Sequence, residues 1–118
     1  MKNQLFRNID FKNDPHWVVK EFFNSIYQQD KFLWALPLLV EKKGCGVNEE
    51  FCFFPDLNDP DPVYHFTGVT FGTMDDEVIV SDDQCNSYLK EACDRYLEDN
   101  PENRDLVAHA LGESRDRS

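Results

Sequence analysis

Basic residues are absent from the middle of this sequence. No lysine or arginine occurs between Lys43 and Lys90, yet ten of the 23 acidic residues lie in that segment. The other thirteen acids face twelve bases, so nearly all of the net charge of -11 belongs to the base-free segment. Its acids are Glu49, Glu50, Asp56, Asp59, Asp61, Asp75, Asp76, Glu77, Asp82 and Asp83. A localised field of one sign indicates a partner of the opposite sign, and the alternative is a soluble protein that has gathered its carboxylates in loops.

Long hydrophobic runs are also missing. The longest apolar stretch, residues 32–40, is far shorter than the roughly 20 residues that span a bilayer. Residues 1–10 lack the pattern of a secretory signal, so we expect a cytosolic protein. A chain this acidic is repelled by phosphate backbones and by anionic lipids, which disfavours direct binding to nucleic acid or to a membrane.

The sequence has no paired-cysteine motif. None of its four cysteines forms a C-x-x-C unit of the kind that binds zinc or carries redox chemistry. Cys85 and Cys93 are eight residues apart in one predicted helix, which places their Cα atoms about 12 Å apart, too far for a disulfide. We expect reduced, buried thiols.

Catalytic and cofactor motifs are absent as well. The three histidines, His16, His65 and His109, have no nucleophile motif around them and are interpreted as structural. The five glycines fit no phosphate-binding loop, and no H-E-x-x-H unit occurs, so we expect no cofactor. The acids from Asp56 onward do not make a calcium loop, because Asp61 stands where the turn glycine is needed and Thr67 where the bidentate glutamate is needed. We therefore expect no metal and no enzymatic activity.

Local signals predict the elements that are present. Asp14 and Pro15 favour a helix start, and the helix should extend to about residue 29. Asp30 is predicted to cap a second helix that Pro37 kinks or splits and that Gly44 and Gly46 end.

Three aromatic and β-branched runs, at residues 47–54, 63–71 and 77–80, predict strands. The last two are close enough to form a hairpin, whereas the proline-rich and aspartate-rich residues 55–62 predict an exposed, negative loop. Ser81 to Gln84 is a capping box that opens a long helix, with two acids in its first turn. Asn100 and Pro101 open a last helix, which Gly112 closes.

The order of these elements is α-α-β-β-β-α-α. It predicts an α+β fold in which a small antiparallel sheet of about three strands is packed with four helices. Residues 1–112 are expected to form one domain, and residues 113–118 a flexible C-terminal tail.

Several short segments together carry a family resemblance. They are Phe53-Phe54-Pro55-Asp56, HFTGVTFG at residues 65–72, EVIVS at 77–81 and YLKEAC at 88–93. Over about residues 22–107 the chain resembles the immunity proteins of contact-dependent growth inhibition (CDI), in particular the group that neutralises ribonuclease toxins. The resemblance implies a small cytosolic inhibitor that binds the C-terminal toxin domain of a large exported effector and blocks its RNase activity.

The resemblance brings no transferable contact residues, so the predicted contacts come from charge placement alone. We expect the acids of the base-free segment to converge into one patch that pairs with the bases of the toxin's RNA cleft, with nearby aromatics as apolar anchors or as sheet core. The predicted toxin-binding residues are Asp56, Asp59, Asp61, Tyr64, Asp75, Asp76, Glu77, Asp82, Asp83, Glu49, Glu50 and Phe54.

Two other classes stay open at this point. One is an acidic adaptor or nucleic-acid mimic that binds a basic housekeeping protein. The other is an enzyme that uses carboxylates and a metal. The sequence leaves self-association open, because an exposed sheet edge can pair with a second copy or with a partner.

Overall fold

A computed structural model describes residues 4–47 and 49–112. Within them, four strands form one antiparallel sheet in the order of the chain, and helices flank the strands in sequence, so the predicted α+β fold is confirmed. The elements are α1 (Trp17–Gln28), α2 (Phe32–Val40), β1 (Cys45–Val47), β2 (Glu50–Phe53), β3 (Val69–Gly72), β4 (Glu77–Val80), α3 (Asp82–Asp99) and α4 (Arg104–Ala110), with 3-10 turns at Pro62–Tyr64 and Pro101–Asn103.

The inner face of the sheet is covered by α1. This helix carries an apolar stripe at helical spacing, and it contacts all four strands. Phe22 and Phe23 are fully buried and place their rings 5.4 Å and 6.1 Å from the ring of Phe71 in β3. This aromatic cluster is the centre of the core.

The N-terminal segment is held to α1 by a buried amide, a contact that the sequence does not reveal. Asn24 is 1% exposed; its Oδ1 accepts a hydrogen bond from the backbone N–H of Phe6 (2.8 Å), and its Nδ2 donates to the carbonyl of Phe6 (3.0 Å). Arg95 of α3 donates to the carbonyl of Leu5 (3.1 Å). Leu5 and Phe6 thereby join the core although they belong to no helix or strand.

The strands differ from the predicted ones in number and extent. Cys45–Val47 is an additional strand that pairs with Glu50–Phe53, so the sheet has four strands. The run predicted at 63–71 becomes a strand only at Val69. Before it, Pro62 occupies the first position of a 3-10 turn, and Asp61 Oδ1 accepts a hydrogen bond from the N–H of Val63 (3.0 Å). Tyr64 and His65 therefore lie outside the sheet.

The ends of the first two helices also differ from the prediction. Asp30 does not cap α2; it adopts φ 60° just after α1, and Lys31 occupies the capping position of α2. Lys42 adopts φ 61° just after α2, ahead of the glycines predicted to end it. Pro37 lies inside a continuous α2, whose buried apolar side chains stabilise it against the missing backbone hydrogen bond.

The other helix signals are confirmed, with small shifts. Ser81 and Gln84 form the reciprocal capping box of α3, and Asp82 and Asp83 occupy its first turn. The first helix begins at Trp17, because Asp14 accepts the N–H of His16 and so caps the preceding turn. The last helix begins after the 3-10 turn, and Gly112 follows it with φ 75°. The predicted tail, residues 113–118, lies outside the described residues.

Candidate functional site

Sheet topology divides the ten acids of the base-free segment into two groups. The β1–β2 and β3–β4 turns lie at the same end of the sheet, because Phe51 pairs with Gly72 and Gly72 pairs with Glu77. We call this the turn end; it carries Glu49, Glu50, Asp75, Asp76 and Glu77. The opposite end, called the loop end, carries Asp56, Asp59, Asp61, Asp82 and Asp83. A strand length of about 13 Å separates the ends, so the ten acids form two groups at opposite ends of the sheet.

Carboxylates at the loop end serve the local backbone. Asp56 Oδ1 accepts a hydrogen bond from the N–H of Asn58 (3.1 Å), and Asp59 Oδ1 accepts one from the N–H of Asp61 (2.8 Å). Asp61 does the same for Val63. Such turns explain aspartates without any partner protein. The first-turn acids of α3 have a structural reason too, because the helix dipole favours negative charge there.

Bases also lie beside the loop end. Lys42 and Lys43 line one surface depression together with Asp56 and Asp59. Lys42 also lines an apolar groove between α2, α3 and α4, of about 420 Å³, together with Asp82. The negative field of the loop end is therefore partly compensated within the chain.

Carboxylates at the turn end have no comparable structural role. Thr73 closes the β3–β4 turn with two hydrogen bonds to the backbone of Asp76. The N–H of Thr73 donates to the carbonyl of Asp76 (2.7 Å), and the hydroxyl of Thr73 accepts a hydrogen bond from the N–H of Asp76 (3.2 Å). Among residues 4–47 and 49–112 the ion pairs join Lys20 to Asp14, Lys43 to Glu41 and Arg95 to Glu91. No turn-end acid takes part in them.

One carboxylate of α1 senses the charge of a turn-end acid. Burial raises the pKa of Glu21, a hydrogen bond from Asn24 opposes this shift, and repulsion from Glu50 raises the pKa further. The turn-end acids themselves have no ion-pair partner among the described residues.

The outer face of the sheet, opposite α1, carries exposed aromatic and aliphatic side chains. The rings of Phe51 and Phe53 lie 4.7 Å apart, and Tyr64 contacts Phe53 edge-on at 6.1 Å. Phe53 is 40% exposed, and Ile79, two strands away, is 54% exposed. Phe51 lies over Gly72, where any larger side chain would overlap its ring. We call Phe51, Phe53, Tyr64 and Ile79 the outer patch.

Sequence reasoning found Tyr64 but missed the other three members of the outer patch. Phe51, Cys52 and Phe53 are apolar in succession, as are Val78, Ile79 and Val80, so alternation does not distinguish the two faces. Phe51 pairs with a glycine on each side, which leaves its ring uncovered by neighbouring side chains, but this pairing depends on strand register and is not visible in the sequence. Phe54, the other predicted anchor, is half-buried and packs against the core.

A shallow depression continues the outer patch toward β1. It has a volume of about 700 Å³, and it is bounded by the rings of Phe51, Phe53 and Tyr64 on one side and by the loop-end residues Asp56 and Asp59 on the other. Lys42 and Lys43 line the same depression, so two bases of this chain already lie near its aromatic rings and carboxylates.

Three of the cysteine thiols lie in surroundings that disfavour the reactive thiolate. Burial raises the pKa of Cys45 and of Cys85 to about 11 and that of Cys52 further still, whereas a nucleophilic thiol needs a lowered pKa. Cys52, Cys85 and Cys93 are buried, as predicted, whereas Cys45 is only partly buried, contrary to the prediction. No group of three or more metal-ligating side chains occurs in the described part of the chain.

The histidines have local partners. His16 contacts the hydroxyl of Tyr88 through Nδ1 (2.8 Å), and His65 donates from Nε2 to the carbonyl of Asp59 (2.6 Å). His109 lies in the last turn of α4.

Within the described ranges, no helix has the length and apolar character needed to cross a membrane.

Comparison with known proteins identifies one family and one fold. A sequence model of the family described as CDI immunity protein matches residues 15–111. The solved structure of an immunity protein from Neisseria meningitidis matches with a TM-score of 0.73 and 24% identity, over 95% of this chain and 98% of that one. At this identity the likeness shows a shared fold. No curated protein matches the chain.

Proposed function

The chain belongs to the CDI immunity protein family, and from that premise we propose that it neutralises a ribonuclease toxin domain by binding it with an acidic surface. It acts as a stoichiometric inhibitor in the cytoplasm of the cell that makes the toxin, without a cofactor and without catalysis. The bound toxin domain can no longer admit RNA.

One observation carries the acidic mechanism: the turn-end carboxylates form no ion pair with a described residue. Nucleases surround their active clefts with bases that hold phosphates, and unpaired carboxylates can take the place of those phosphates. Complementary charge also accelerates encounter, up to on the order of 10⁹ M⁻¹s⁻¹ at low salt. A cell that makes a lethal nuclease needs that speed.

The proposal is tested with the cognate toxin domain, sought in the reading frame directly upstream of the gene for this protein. The purified toxin domain is incubated with RNA and with increasing amounts of the immunity protein. We expect RNA cleavage to stop at an equimolar ratio, and co-expression to rescue cells from the toxin. A toxin that is neutralised but cleaves no RNA would refute the ribonuclease part of the proposal. A toxin domain that neither binds the protein nor is inhibited by it would refute the whole.

Charge reversal tests the acidic mechanism. The triple substitution Asp75→Lys, Asp76→Lys and Glu77→Lys should weaken toxin binding roughly tenfold or more, chiefly through slower association. The control reverses three exposed acids on the helical side, Asp94, Glu98 and Glu102, with the same change in net charge. Equal losses in both variants would mean that only net charge matters, and no loss in the turn-end variant would exclude these carboxylates from the interface.

A further inference from the structure

We propose that the outer patch is the centre of the toxin interface, and that the toxin element seated on it is cationic and extends over the turn end. This inference rests on the proposed function and adds the docking face, the orientation and the chemistry of the partner. None of the acids chosen from the sequence lies at this centre; they lie around it.

The outer patch lacks the covering layer that the inner face has. Antiparallel sheets commonly leave one face in water, but that face then carries polar side chains. Here Phe53 and Ile79 are exposed and Phe51 is half-buried, and on β3 between them lie the buried Thr70 and Gly72. Contiguous exposed apolar side chains rimmed by polar ones mark interaction sites. The rim in this case is acidic at both ends.

Size requires the occupant to reach beyond the strands. Four strands spaced about 4.8 Å apart, three of them four residues long and β1 three, make a face of at most roughly 14 by 13 Å. That area is about a quarter of the ~800 Å² that each partner buries in a stable complex. A toxin seated on the outer patch must therefore also cover an end of the sheet.

The distribution of charge indicates which end of the sheet the toxin covers and which charge the toxin surface carries. Acids at neither end form an ion pair with a described residue, but at the loop end Lys42 and Lys43 line one depression with Asp56 and Asp59. A cationic surface therefore gains most by lying toward the turn end. A second copy of this chain also has a net charge of -11, so repulsion between the two copies opposes self-association through this face.

Paired substitutions on the two sides of the molecule test the docking face. Phe53→Ala and Ile79→Ser remove exposed side chains of the outer patch; Trp34→Ala on α2 and Leu106→Ser on α4 are controls of similar exposure, at 50% and 57% against 40% and 54%. We expect the outer-patch variants to speed dissociation from the toxin domain roughly tenfold or more, and the controls to stay within about twofold. Thermal unfolding of each free variant checks that the fold is intact.

Substitutions of opposite charge at one position test whether the partner surface is positively or negatively charged. Ile79→Lys and Ile79→Glu place a cation or an anion at the same exposed position of β4 and disturb the apolar patch alike. A cationic toxin element predicts much weaker binding for the lysine variant than for the glutamate variant. Equal losses, or a greater loss with glutamate, would overturn the cationic occupant even if the docking face is correct.

The remaining outcomes separate this inference from the proposed function. If only the helical-side controls lose binding, the toxin docks on the helices and the inference fails, while inhibition by the wild type still supports the proposed function. If sedimentation shows a wild-type dimer that outer-patch substitutions dissociate without affecting toxin binding, the face joins two copies and the inference also fails. If the wild type does not bind the toxin at all, the proposed function itself has failed.

Discussion

At the scale of single residues, the same side chain has different roles according to its backbone setting. Asp59 uses its carboxylate to hold a turn, whereas Asp76 contributes its backbone N–H and carbonyl to a turn and leaves its carboxylate to the solvent. Both are aspartates in short polar segments, and the sequence does not distinguish them. Only the second kind is available to a partner without weakening the fold.

Glu21 gives the first prediction at this scale. Its pKa is raised above the ordinary 4.5 by burial and by the charge of Glu50, although Asn24 donates a hydrogen bond to it. The folded protein therefore binds this proton more tightly than the unfolded chain does, and the ionised carboxylate lowers stability at neutral pH. We expect Glu21→Gln to raise the midpoint of thermal unfolding at pH 7, and the gain to vanish as the pH falls below about 4, where both states are protonated.

The control for this prediction is Glu98→Gln, which neutralises an exposed glutamate on α3 and removes the same formal charge. Calorimetry between pH 3.5 and 8 follows both variants against the wild type. A gain for Glu21→Gln that persists unchanged at acid pH would show that packing, and not the charge of Glu21, is responsible.

At the scale of elements, the helix ends show what sequence signals contain and what they omit. Three helices end with a residue in the left-handed conformation: Asp30 after α1, Lys42 after α2 and Gly112 after α4. Only the glycine was predicted in this role, because glycine adopts positive φ at little cost. Asp30 instead suggested a helix start, since aspartate is common at both positions. Local sequence signals predicted where the helices lie but not which residues end α1 and α2.

Lys42 provides the prediction at this scale. The N–H of Lys43 donates to the carbonyl of Leu38 (2.8 Å) and that of Lys42 to Leu39 (3.2 Å), which is the Schellman pattern with lysine in the place of glycine. A non-glycine residue pays about 1–2 kcal/mol for the left-handed conformation, and glycine's extra freedom in the unfolded chain offsets part of the relief. We expect Lys42→Gly to raise the free energy of unfolding in urea by about 0.5–1 kcal/mol.

Lys43→Gly is the matched control for Lys42. It removes the same charge at the next position, where φ is not positive, so it should leave stability unchanged or lower it by up to about 1 kcal/mol. Equal effects of the two substitutions would show that charge, and not backbone conformation, determines the result.

The sheet was predictable in outline and the candidate site only in part. Composition indicated strands near residues 47–54 and 77–80, and the capping box fixed the start of α3. Strand register, in contrast, depends on tertiary pairing, and register decides which turns share an end of the sheet. The division of the acids into two groups and the exposure of Phe53 both follow from register. A sequence that is apolar on both faces of a strand gives no sign of which face is open.

At the scale of the whole molecule, one side of the sheet is closed and the other is open. The helices α1 to α4 occupy the closed side or pack on one another, and the acids of the base-free segment lie at the two ends of the sheet, bordering the open side. A partner of opposite charge is therefore attracted toward the open side before any contact is made.

Salt dependence tests this long-range attraction. Exposed charges are screened within about 10 Å at 0.1 M ionic strength, so the association rate with the toxin domain should fall roughly tenfold or more between 20 and 300 mM NaCl. The dissociation rate, governed by the outer patch, should change much less. Stopped-flow mixing measures both rates, with the turn-end charge-reversal variant as the comparison. A wild-type association rate that does not respond to salt would rule out electrostatic steering.

The way Thr73 closes the β3–β4 turn has a consequence for how such a protein can change. Because the turn is held by Thr73 and by main-chain atoms, we expect the side chains at positions 75 and 76 to be replaceable with little effect on stability. Specificity for the toxin can therefore change, by mutation or by design, through substitution of a few exposed side chains while the fold stays the same. A protein with this arrangement can acquire substitutions that match a changed toxin while each intermediate sequence still folds.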